Sequence, residues 1–181
     1  MPELFLIFKK KAESGLENVV RWVAGPMVHV DIAPGRHGIM FTSYMFEQFS
    51  INKFTGYSPV SHSCLKLEIT EDELNNVQKM LVGFVEKKIP YNYADVFQFM
   101  FTTNPEAVED CESPENVQSL FCSQAMTIVL KHCLIENENL VAELKKLNSR
   151  LTTPNTLYNT LLPFAQVEDE TLYSDDYLTS S

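Results

Sequence analysis

Basic charge is scarce in this sequence: 14 Lys and Arg stand against 24 Asp and Glu in 181 residues, a formal net charge of −10. Nucleic-acid backbones and anionic lipid surfaces repel so acidic a chain at long range, so neither is expected as its main partner. The one basic cluster, Lys9, Lys10 and Lys11, reads as a solvated loop. Long apolar runs are missing too. No stretch approaches the roughly 20 apolar residues of a membrane-spanning helix, so no transmembrane segment is expected. The apolar start Leu4 to Phe8 is shorter than a secretory signal core, and its lysines follow it instead of preceding it. Cysteine is also sparse. The four present, Cys64, Cys111, Cys122 and Cys133, form no CxxC pair, and the chain has no Asn-x-Ser/Thr acceptor. That composition suits free thiols in a reducing, cytoplasmic setting better than a disulfide framework.

What is present is an ordinary core-forming composition, 45% hydrophobic and 21% charged. It supports one globular domain over residues 1–165, followed by an acidic tail, 166–181, that has little to bury and is expected to be disordered. Glu3 to Lys9 is a strand, because its apolar run is too short for a helix. Ser14 and Glu17 form a capping box for a short helix that ends at Gly25 and Pro26. Met27 to Ala33 and Ile39 to Phe46 are strands joined by the turn Pro34 to Gly38, and Gln48 to Pro59 reads as a loop. Val60 to Ile69 returns as a strand. Thr70 with Glu73 caps an amphipathic helix that reaches Lys88. Helices follow over Tyr93 to Phe101, Ser119 to Cys133, Glu138 to Leu147 and Pro154 to Leu162. The long exposed connection Thr102 to Gln118 precedes the apolar Ser119 to Cys133 helix and reads as a flap over a cleft.

Two residues stand out chemically. Cys122 falls in the first turn of that apolar helix, where free N–H groups and the positive end of the dipole stabilise a thiolate. Its neighbours Ala125, Met126, Val129 and Cys133 share its face, which directs the sulfur toward the sheet. On the hairpin, Met27, His29, Asp31 and Ala33 share one strand face while Val28, Val30 and Ile32 occupy the other. A histidine that interrupts an apolar strand is placed there for hydrogen bonding or for chemistry. Taken singly, neither residue is diagnostic, since cysteine is among the most buried residue types and a strand histidine is commonly satisfied by backbone. His62 and Cys64 share a strand face but have no further ligands in view, so no metal or cofactor is expected.

Four segments in order carry a resemblance: His29-Val30-Asp31-Ile32, Tyr91-Asn92-Tyr93, Phe121-Cys122-Ser123-Gln124 and Thr153-Pro154-Asn155-Thr156-Leu157. Their order and spacing over residues 27–160 resemble the permuted papain-like cysteine amidases of the YaeF/YiiX type. These are relatives of the NlpC-type peptidases, with members in bacteria and in large DNA viruses such as poxviruses, so a viral source would place the protein in a host cell. The resemblance implies an α+β fold with a small antiparallel sheet packed against helices. It implies a cysteine hydrolase with Cys122 as nucleophile and His29 as base, acting on an amide or isopeptide bond through an acyl-enzyme. Tyr91 and Tyr93 would then belong to the cleft or to its rim. Family members commonly place a Glu or His on the next strand to orient the imidazole; here that stretch is Phe41-Thr42-Ser43. Thr42 is the positional match and Asp31, on the His29 face, is the alternative orienter. The expected partner is a peptide or peptide-like substrate. A lipid-directed thioesterase or acyltransferase, taking an acyl lipid, and a non-catalytic interaction module are the competing readings.

Overall fold

The computed structural model describes residues 1–35, 38–44, 47–54, 57–111 and 113–168, with backbone alone for Leu16, Phe99 and Met100. Among these residues the chain is an α+β protein with one six-stranded antiparallel sheet and six α-helices. The strands are β1 (Glu3–Lys9), β2 (His29–Pro34), β3 (Gly38–Thr42), β4 (Ser50–Phe54), β5 (His62–Glu68) and β6 (Gln166–Glu168), in the order β4-β3-β2-β1-β5-β6. The helices are α1 (Gly15–Ala24), α2 (Glu71–Glu86), α3 (Tyr93–Phe101), α4 (Cys122–Cys133), α5 (Glu138–Lys145) and α6 (Pro154–Leu161). No described helix is long and apolar enough to cross a membrane.

β1 lies at the centre of the sheet and is apolar on both faces because both faces are covered. Leu4, Leu6 and Phe8 join Val30, Ile32 and the buried side of α4 in the main core. Phe5 and Ile7 face the other way, against Ala33, Phe54, Tyr57 and Cys64. A strand buried on both sides shows no alternation of polar and apolar residues, which is why its run is continuous. The β2–β3 turn passes through Gly35 and Gly38, each at φ +102°, a backbone region that a Cβ disfavours. Arg36 and His37 at its tip lie outside the described residues.

The capping boxes form as the sequence predicts. Glu17 N–H donates to Ser14 Oγ at 3.1 Å, and Ser14 N–H returns to Glu17 Oε2 at 3.1 Å. At α2, Glu73 N–H donates to Thr70 Oγ1 at 3.2 Å, and Thr70 N–H to Glu73 Oε2 at 2.9 Å.

Three expectations need correction. Ser50–Phe54, inside the expected loop, is strand β4 and pairs with β3 from Gly38↔Phe54 to Thr42↔Ser50. It is an edge strand held by backbone bonds, with Ile51 and Lys53 exposed, so no buried face announces it in the sequence. The strand expected over Ile39 to Phe46 ends at Thr42, and Met45 and Phe46 lie outside the described residues. The expected acidic tail begins three residues too early, because Gln166–Glu168 add to β5 as β6. Lys66 Nζ fixes that edge by pairing with Glu168 at 3.1 Å and Glu3 at 3.4 Å. Residues 169–181, the rest of the expected tail, lie outside the described residues.

Candidate active site

The first turn of α4 is carried to the sheet by a ladder of ties between residues far apart in the chain. Leu120 N–H donates to Pro90 O at 3.0 Å, and Asn92 N–H to Leu120 O at 2.9 Å. Ser43 Oγ, at the end of β3, donates to the same Leu120 carbonyl at 3.1 Å. Two residues beyond this clamp, Cys122 opens the helix, next to the start of β2, where His29 sits.

His29, Asp31, Thr42 and Cys122 therefore meet in the interior, at 6%, 5%, 0% and 4% exposure. The imidazole Nε2 lies 2.7 Å from Asp31 Oδ1 and 3.2 Å from Thr42 Oγ1. The Cys122 sulfur also lies near the ring. Both candidate orienters touch the ring, but the shorter contact and the only carboxylate belong to Asp31. Burial pulls the His29 pKa down, yet the neighbouring Asp31 carboxylate and the Cys122 sulfur outweigh it and push the ring up to about 10. His29 therefore holds its proton at neutral pH.

Two tyrosines complete the enclosure. Tyr44 stacks on the imidazole at a centroid distance of 4.6 Å and an interplanar angle of 9°. Its hydroxyl bonds Thr42, and burial followed by Asp31 raises its pKa to about 12, so it stays a neutral phenol. Tyr91 lies against Cys122, its hydroxyl kept protonated by burial and by the nearby sulfur, with the Tyr93 ring at 4.9 Å. Nothing in the spacing of Tyr44 marks it in advance; only the path of the chain after β3 brings it over the histidine.

The backbone N–H groups at the start of α4 have no carbonyl within the helix to bond. The Gln124 side chain is already committed. Its Oε1 accepts from Phe121 N–H at 3.3 Å, and its Nε2 donates to Asp95 Oδ2 at 3.0 Å. Arg150 clamps the same carboxylate, Nη2 to Oδ1 at 2.7 Å and Nε to Oδ2 at 3.0 Å. Asp95 and Arg150 are supports that the sequence reading missed, because they lie 55 residues apart and no local pattern links them.

Cys122 lines an apolar cavity with Val28, Tyr91, Phe121 and Pro154, closed above by Val20 and Val96. Its volume, about 10 Å3, is room for one water at most. Tyr91, Phe121, Cys122 and Pro154 bring three of the four motif segments to this cavity, and Val28 immediately precedes the fourth. A much larger cavity, about 800 Å3, lies on the other side of the α4 start, lined by Asn92, Gln124, Arg150 and the 109–119 stretch. Neither Cys122 nor His29 lines it; its one thiol is Cys111, whose pKa burial pushes up. The connection Thr102 to Gln118, read as a flap over a cleft, borders this second cavity through residues such as Asp110, Asn116 and Gln118 and lines no part of the Cys122 cavity. It is tied down there: Asp110 Oδ1 accepts from Ser149 N–H at 2.7 Å, and Asn148 Nδ2 donates to Val108 O at 2.6 Å.

All four cysteines are free. Among the described residues no group of three or more His, Cys, Asp or Glu is arranged to hold a metal ion, and His62 is bonded to Ser61 Oγ at 2.9 Å. Compared with protein-family models, with curated proteins and with solved structures, the chain matches none of them.

Proposed function

We propose that this chain is a cysteine hydrolase of the permuted papain-like type, cleaving an amide or isopeptide bond in a peptide-like substrate. The observation that carries the reading is a buried imidazole held between the sulfur of Cys122, first residue of α4, and the carboxylate of Asp31 at 2.7 Å. A helix start favours negative charge on the sulfur, and an imidazolium beside it does the same. The order of the chain, with the histidine strand before the cysteine helix, and an antiparallel sheet packed on helices agree with the permuted arrangement.

In the first step the Cys122 sulfur bonds to the carbonyl carbon, and the electron pair of the C=O bond moves to oxygen. The N–H groups at the start of α4 stabilise that oxyanion. As the C–N bond breaks, the proton on His29 passes to the leaving amine. Water then attacks the thioester, His29 takes its proton, and the acid departs as the sulfur is restored. Asp31 fixes the ring and balances its charge throughout, with Thr42 as a second, weaker contact.

The apolar lining around Cys122 favours a second reading on the same residues, thioester or ester transfer on an acyl lipid. An electrophilic acyl probe followed by mass-spectrometric mapping tests both: Cys122 becomes the labelled residue, and peptide amide against acyl thioester turnover separates the two substrates. Labelling of Cys64, Cys111 or Cys133 instead rejects the assignment. No labelling at all favours a non-catalytic interaction module.

A further inference from the structure

Among the described residues, five of the six α-helices begin on a polar side chain that accepts an N–H of the first turn: Ser14, Thr70, Asn92, Asn137 and Thr153. α4 begins on Phe121, which has no acceptor to offer. A capping oxygen there would compete with charge on the sulfur or on a substrate oxygen for the N–H groups of Cys122, Ser123 and Gln124. A helix start without a cap frays, however, and this is the turn that carries the sulfur. It has to be held by other means.

Gln124 holds it from behind. Its Oε1 accepts Phe121 N–H, the half of a capping box that needs no polar residue at the cap. A side-chain amide has an oxygen on one side and a nitrogen on the other, so whatever takes the nitrogen fixes where the oxygen points. Here Asp95 Oδ2 takes it, at 3.0 Å. Asp95 is 3% exposed, and a carboxylate that deep needs a partner charge, which the two-pronged Arg150 supplies. The turn that carries Arg150 grips the helix start a second time, because Ser123 Oγ donates to Thr152 O at 2.7 Å. Arg150 is 37% exposed and lines the cavity of about 800 Å3 together with Asp95, so truncating Asp95 widens an existing cavity and leaves no new sealed void.

We propose, resting on the hydrolase reading of Cys122, that Asp95 is a positioning residue of the site: through Gln124 it replaces the missing cap of α4 and keeps the N–H groups beneath the sulfur aligned and uncovered. Cys133, at the far end of the same helix, is the internal control. Each variant of the full chain is treated with iodoacetamide at mildly acidic pH, and both cysteines are followed by mass spectrometry beside circular dichroism. Asp95→Ala slows Cys122 about fivefold without slowing Cys133, the factor that one helix cap is worth. Gln124→Met cuts the relay at its other end, leaves the Asp95–Arg150 pair intact and gives the same loss, so it decides the matter if Asp95→Ala does not fold. The double variant is no slower than Gln124→Met alone, because the two residues act in series. Asp95→Asn keeps an amide oxygen for Gln124 and stays within about twofold of the parent. An ion pair that only supports the fold behaves differently: its loss speeds both buried cysteines together, through the same openings of the molecule. That joint acceleration overturns the proposal, and so does a folded variant of either kind whose Cys122 reacts at the parental rate. A parent in which Cys122 is no faster than Cys133 removes the reactive cysteine and the relay with it, whereas a fast Cys122 that the variants leave unaltered removes the relay alone.

Discussion

Helix α4 carries a cysteine at each end, and the two are almost equally buried, Cys122 at 4% and Cys133 at 2% exposure. Their surroundings are opposite. Cys133 lies at the carbonyl end of the helix, among Leu130, Leu134 and other core side chains, with the Glu73 carboxylate nearby. Burial, and then that carboxylate, push its thiol up to about 11. Cys122 lies at the N–H end, with the raised-pKa imidazole of His29 nearby. Burial by itself therefore makes a cysteine inert packing. A reactive one needs the positive end of the dipole and a cation beside it, and the two termini of one helix separate these effects.

The largest effect expected from this contrast is on turnover. Cys122→Ala and His29→Ala each reduce acyl transfer by roughly a thousandfold or more, while Cys133→Ala retains the parental rate. Steady-state rates on a verified substrate, beside circular dichroism, decide it; a His29→Ala enzyme at full speed would remove the histidine from the reaction. Asp31→Asn comes next, with a loss of about a hundredfold, against less than tenfold for Thr42→Val, because only the carboxylate balances an imidazolium. The reverse ranking would make Thr42 the principal orienter.

Alkylation gives a smaller, more direct comparison. Iodoacetamide at mildly acidic pH modifies Cys122 about tenfold faster than Cys133, since burial is nearly matched and the polar neighbours differ. His29→Ala should erase that ratio, and a ratio that persists would assign the difference to access alone. The smallest effect is on stability. His29 rises from 6.5 to about 10 on folding, so its stabilising contribution is complete below pH 6.5 and is lost as pH climbs through about 10. In urea titrations the gap between the parent and His29→Asn narrows across that interval; a gap that widens with pH contradicts a proton held on the ring.

Much of the fold was legible because local chemistry repeats. Ser14 with Glu17 and Thr70 with Glu73 read as helix starts, and both form the predicted bonds. Tyr93–Phe101 keeps the expected bounds. β4 was hidden because an edge strand satisfies its backbone without burying a face, and β6 because it is only three residues long, two of them polar, inside an acidic stretch. At the site, Cys122, His29, Thr42 and Asp31 are all named from the sequence, which puts Thr42 ahead of Asp31 as the orienter, whereas the shorter contact to the ring is Asp31's. Two side chains on one strand face usually diverge, so the 2.7 Å approach of Asp31 to Nε2 depends on how β2 sits against β3 and α4. Tyr44, Asp95 and Arg150 left no local signal, since each meets its partner through packing.

The sequence by itself placed a cysteine in the first turn of an apolar helix, read from Ser119 where the structure starts it at Cys122, and a histidine in an apolar strand, because both follow from periodicity over a few residues. Only the tertiary structure decided that sulfur, imidazole and carboxylate share one sealed interior point. Those distances are fixed by long-range ties, such as the Leu120 carbonyl accepting from Asn92 and Ser43, that no short window of sequence contains.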